Sequence, residues 1–112
     1  MPNTQRSDVV KLLEYYPICK RFVASQKYAA EYFDATVESE GDYRKIMSLI
    51  ESLIKSIAPS DEATLLHLHY VKGLSVEKCA ECMFVSRSTG FRLLKRAQDK
   101  VFEKYKEARY ET

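Results

Sequence analysis

Apolar residues recur along this chain at three-and-four spacing and almost never alternate, so the pattern predicts helices throughout and an all-α fold. The first helix is expected to start near Ser7, a good cap, with Asp8 in its first turn and Val9, Leu13 and Tyr16 on one face. Pro17 removes a hydrogen bond and disfavours helix at Tyr16, which predicts a break or kink there. The stripe resumes at Ile18, Phe22, Ser25, Ala29 and Tyr32/Phe33, and Glu38-Ser39-Glu40-Gly41-Asp42 reads as a loop. Asp42 is the expected cap of a second helix carrying Tyr43, Ile46/Met47, Ile50, Leu53/Ile54 and Ile57, the strongest amphipathic pattern in the chain. That stripe suits either packing within the chain or a homodimer seam. Ala58-Pro59 ends it.

Ser60 is read as the cap of a third helix, with Asp61 and Glu62 complementing its dipole and Leu65, Leu66, Leu68 and Val71 facing inward. Gly73 closes this helix in the left-handed conformation that ends many helices. Two tightly linked helices follow. Ser75 caps one that runs to about Met83, Phe84-Val85 makes a turn, and Ser86 caps the last, which is expected to continue to about Glu107. The boundary near Pro59 divides the chain into an N-terminal helical region, 1–58, for packing or dimerisation, and a C-terminal region, 59–112.

The last two helices match the spacing of a helix-turn-helix, in which two short helices cross steeply with little room between them. Ala80 supplies the small residue where backbones approach. Cys79 and Met83 supply buried neighbours, Val85 plugs the gap after the turn, and Leu93 points back from the second helix. Two residues depart from the usual pattern. Phe84 stands where glycine is common, because that position tends to positive φ, and Gly90 stands where a branched aliphatic is common. Phe84 is therefore expected to fold inward and fill the space beside Gly90.

Charge sharpens this picture. The net charge is only +2, yet residues 86–100 hold five Lys/Arg against one acid, whereas 31–62 hold three against eight. A basic block in an otherwise neutral or acidic chain suggests a localised anionic partner. On a helical wheel Gly90, Leu93, Leu94, Ala97 and Val101 face inward, and Ser88, Arg92, Lys95 and Asp99 face outward. The candidate DNA-binding residues are Ser86, Arg87, Ser88, Thr89, Phe91, Arg92, Lys95 and Arg96. Ser88 and Arg92 suit base edges, since the first turns of a recognition helix reach deepest, and Phe91 suits a thymine methyl. Arg87, Lys95, Arg96 and the amides behind Ser86 suit phosphates.

Leu65-Leu66-His67-Leu68-His69-Tyr70, Gly73-Leu74-Ser75-Val76-Glu77 and Val85-Ser86-Arg87 together resemble region four of bacterial sigma factors. Ser86-Arg87-Ser88-Thr89-Gly90-Phe91-Arg92-Leu93, leading to Arg96-Ala97, is similar to small phage proteins of the ArpU/RinA type, and Leu12 to Pro17 adds a weaker likeness. The resemblance covers residues 59–101; Phe84 and Gly90 depart from both families, and His67 and His69 stand where arginines are common. It implies a phage-encoded transcriptional regulator of late genes in a bacterial host cytoplasm, with double-stranded DNA and RNA polymerase as candidate partners. A packaging-machine DNA-recognition subunit is another reading within the DNA class.

The rival from a different class is a protein-interaction module that binds polymerase or a regulator and barely touches DNA, using the acidic segment and the second helix. Cys79-Ala80-Glu81-Cys82 is a Cys-x-x-Cys without a second pair, so a core thiol is expected rather than zinc or a redox pair. His67 and His69 read as one surface and one partly buried histidine. With no phosphate-cradling glycine loop and no nucleophile partner for either histidine, neither enzymatic activity nor a cofactor is expected. No signal peptide and no membrane span are read, and reduced cysteines in a cytosol are expected.

Overall fold

The computed structural model describes residues 4–33 and 40–110, and within them every regular element is a helix. Helix α1 spans Arg6–Tyr32, α2 Glu40–Ser56, α3 Asp61–Leu66, α4 Val76–Cys82 and α5 Arg87–Tyr110, and α3 continues directly into a π-helical stretch, His67–Val71. Helix α1 starts at Gln5 rather than Ser7: the Gln5 N–H donates to the Asp8 carboxylate at 2.8 Å, closing the first turn. It then runs through Pro17 without a break. Pro17 has no N–H for the Leu13 carbonyl, yet buried Leu13 and Tyr16 on one side and Cys19 on the other keep both halves in register. Tertiary packing outweighs the one lost bond.

Past Pro17 the buried position is Cys19, not Ile18, and Tyr32 and Phe33 are exposed, so the inner stripe lies one residue over from the expected one. Helix α2 begins at Glu40, two residues ahead of the expected cap Asp42, which lies inside the helix. The expected loop residues Glu38 and Ser39 fall outside the described residues. The α2 stripe is spent within the chain. Ile50, Leu53 and Ile54 are buried with Val9, Leu13 and Tyr16 of α1, Ala63 and Leu66 of α3, Tyr70, and Ala97 and Val101 of α5. This core draws on both sides of residue 58.

The third helix is capped as its sequence predicts: Ser60 Oγ accepts the Ala63 N–H at 3.1 Å, and Gly73 takes φ +79°. The π stretch was not anticipated, because five-residue hydrogen-bond spacing leaves no mark in apolar periodicity. His67 is exposed, and half-buried His69 lies 2.7 Å from the Leu74 carbonyl through Nδ1. The extension of α5 packs on the N-terminal helices, with Val101 in the core and Phe102 and Tyr105 against it. No helix among the described residues is long and apolar enough to cross a membrane.

Candidate nucleic-acid interface

Ser75 Oγ accepts the Lys78 N–H at 3.1 Å and starts α4. The chain then leaves α4 through a tight turn in which the Phe84 N–H donates to the Glu81 carbonyl at 3.2 Å and the Val85 N–H to the Ala80 carbonyl at 3.0 Å. Phe84 takes φ +59°, the left-handed conformation that glycine adopts more easily. Ser86 Oγ accepts the Thr89 N–H at 3.2 Å and donates to Thr89 Oγ1 at 2.9 Å, and its carbonyl accepts the Gly90 N–H at 2.9 Å, which fixes the start of α5. Ser88 Oγ lies 3.2 Å from the same hydroxyl.

Gly90 is where the two helices touch. A Cβ built there would lie 3.0 Å from the Ala80 Cβ and 3.5 Å from Val76 Cγ1, so α5 approaches α4 by virtue of having no side chain at that point. The expectation that Phe84 fills a space beside Gly90 is therefore corrected: there is no space, and Phe84 is 96% exposed. Cys79 and Leu93 are buried with Leu65, and Met83, Val85 and Leu94 pack against them.

The outward face of α5 carries Ser88, Arg92 and Lys95, all exposed. Neither Arg92 nor Lys95 takes part in an ion pair among the described residues. Asp99, the acid on that face, is held by Arg6 from α1, whose guanidinium also donates to Gln98 Oε1 at 2.8 Å. The remaining cations are engaged. Arg87 pairs with Glu77 at 3.3 Å and lies 5.6 Å from the centre of the Phe91 ring, and Arg96 pairs with Glu62 at 3.5 Å. Thr89 is half-buried in the Ser86 network, and Phe91 is partly exposed.

Sequence reasoning missed the partners rather than the ridge. Glu62 is buried and pairs with Lys100 at 3.2 Å as well as Arg96. Burial opposes ionisation of this carboxyl, but a backbone hydrogen bond at the start of α3, Lys100 and Arg96 outweigh it and lower its pKa. Arg96 and Lys100 sit four apart on α5, the spacing that lets one acid hold both.

Cys19 and Cys79 are buried free thiols whose pKa burial pushes up, the opposite of an activated thiolate, while Cys82 is exposed. A cavity of about 490 Å³ opens between α2, α3 and the π stretch, lined by Ile54, Ala58, Leu68 and Val71 with Lys55 and His67 among its polar groups. It includes none of the sequence-predicted site residues. Comparison of the chain with protein-family models, with curated proteins and with solved structures finds no match in any of the three.

Proposed function

We propose that this chain is a sequence-specific DNA-binding transcriptional regulator in which α4 and α5 act as a helix-turn-helix and the first turns of α5 enter the major groove. The observation that carries this reading is the outward ridge of Ser88, Arg92 and Lys95, exposed and without an internal carboxylate, on a helix buttressed at Gly90 by Ala80. In that role Arg92 makes a bidentate contact to a guanine edge, worth about 1–3 kcal/mol of discrimination. Lys95 holds phosphate, and Ser88 reaches the groove from the first turn. Arg87 exchanges its exposed partner Glu77 for a phosphate, because a pair of exposed side chains contributes little and is screened by salt. Arg96, itself 60% exposed, turns to a phosphate while Lys100 still holds the buried Glu62. Arg6 supports the reading by neutralising Asp99, which would otherwise repel the sugar-phosphate wall.

The resemblance of residues 59–101 to sigma region four and to ArpU/RinA-type phage proteins makes late-gene transcription the proposed process, with RNA polymerase as a further partner. The test is titration with random-sequence duplex DNA across a salt series, followed by selection of bound sequences from a library. With about five phosphate contacts, the logarithm of affinity falls against log salt with a slope near −4.5, and Arg92→Ala relaxes the preference at the guanine it reads by about 1–3 kcal/mol. Binding to polymerase with no salt-dependent DNA binding transfers the function to protein interaction.

A further inference from the structure

Phe84 holds a combination that the chain's own stability does not explain. It is 96% exposed, more than any other large apolar residue among the described residues, and its backbone sits at φ +59°. A non-glycine residue in that conformation costs about 1 kcal/mol, which glycine would avoid. A phenylalanine therefore strains the turn and covers no apolar surface of its own protein. The ring is left free for a contact outside the chain.

The position of Phe84 says which contact. It stands two residues ahead of Ser86, the cap of α5, so it sits at the end of the helix that leads into the groove. The charges around it favour a polyanion: Arg92 and Lys95 follow on exposed positions with no ion pair among the described residues, while the nearby acids Glu77 and Glu81 are each offset in an ion pair, with Arg87 and Lys78. Duplex DNA also presents apolar surface at that place, because the walls of the groove are lined by deoxyribose rings between the phosphates.

We infer that Phe84 is a DNA-contacting residue that lays its ring against deoxyribose on the wall of the groove α5 enters. This rests on the DNA-binding reading above and adds to it an uncharged contact independent of base sequence. The left-handed turn matters because it throws the ring outward instead of back over α4. Phe91, partly exposed, stacks with the Arg87 guanidinium at 5.6 Å rather than with Phe84 among the described residues.

The experiment uses the full chain, Phe84→Gly and Phe84→Asn, with random-sequence duplex DNA as the probe. Glycine and asparagine both tolerate positive φ, so either variant keeps the turn while removing the ring. Thermal unfolding is expected to stay level or move up for Phe84→Gly. DNA affinity at low salt is expected to fall about tenfold in both variants, in line with losing a largely buried aromatic contact. The slope of log affinity against log salt is expected to stay that of the parent chain, because no charge is lost.

Undiminished DNA affinity overturns the inference. So does a drop in melting temperature for both variants, which would make the ring part of the fold, and so does retained DNA binding with lost capture of RNA polymerase, which would make Phe84 a protein contact. If the parent chain itself fails to bind duplex DNA, the DNA reading has failed, and that result is visible before any variant is made.

Discussion

The first three turns of α5 and its last four carry similar numbers of cations on one continuous helix, and they use them differently. In the distal part Lys104 pairs with Glu107 at 3.6 Å, Lys106 pairs with Glu103 at 3.2 Å, and Val101 is fully buried between α1, α2 and α3. In the proximal part Arg92 and Lys95 stand exposed without a carboxylate among the described residues, and the inner face holds α4 through Gly90. The distal part is closed on itself and the proximal part has unused capacity. That asymmetry separates a helix face whose cations are paired locally from one whose cations have no carboxylate partner among the described residues. Charge counts alone do not make the distinction, since local pairs of opposite charge satisfy a surface helix without any ligand.

The largest effect comes from turning the distal inner face polar. Val101→Asp puts an unpaired carboxylate at a fully buried position and is expected to cost more than about 4 kcal/mol, enough to lose the cooperative melt by circular dichroism. Arg92→Asp, nine residues earlier on the outer face, is expected to melt within about 0.5 kcal/mol of the parent chain. Equal losses would break the comparison. Next in size is the contact at Gly90. Gly90→Leu must drive α4 from α5 and is expected to cost about 1–3 kcal/mol in urea denaturation. Gly90→Ala asks the Ala80 methyl to give by a few tenths of an ångström and gains about 1 kcal/mol of helix propensity, so it should lie near neutral.

What the sequence made legible follows from what local pattern encodes. The registers of α2 to α5 were readable because each has one apolar stripe. The caps at Ser60, Ser75 and Ser86 and the stop at Gly73 were readable because each is a local hydrogen-bond or φ requirement. Pro17 misled because helix propensity is weak beside the packing of Leu13, Tyr16 and Cys19. Phe84 misled for a different reason: the missing side chain at Gly90 suggested a space for the ring, and only the close approach of Ala80 shows that there is none. The engagement of Arg96 and Lys100 by Glu62, and of Asp99 by Arg6, joins residues more than thirty positions apart. No spacing rule within one helix reports such partners.

A third experiment sharpens the contrast at the level of binding. On the proposed reading Arg92→Ala lowers affinity for a selected DNA site by about tenfold or more, and Lys95→Ala reduces the magnitude of the salt slope by about 0.9. Lys104→Ala, in the distal part, leaves both unchanged, because that cation is held beside Glu107 and lies away from the first turns. Salt titration by fluorescence anisotropy distinguishes the three. A slope change in Lys104→Ala equal to that of Lys95→Ala would mean that the whole helix behaves as a diffuse basic rod.

The smallest effect concerns Glu62, which joins the two parts by holding Arg96 and Lys100 at once. Its folded pKa is lowered, so its contribution to stability is fully present above the ordinary glutamate value of about 4.3 and is lost as pH falls through the lowered folded value. Because both partners are about half exposed, the contribution is expected near 1 kcal/mol. Glu62→Gln should therefore melt slightly below the parent chain at neutral pH, with the gap narrowing as pH is lowered below about 4.3. The same substitution releases two cations next to the proximal ridge. In DNA titrations its salt slope should steepen by up to about 0.9, because Lys100 is newly freed for a phosphate while Arg96 already holds one in the complex. A stability loss with the parent slope would mean that Lys100 serves only to seat α5 on α3, moving the division between the two parts back to Arg96.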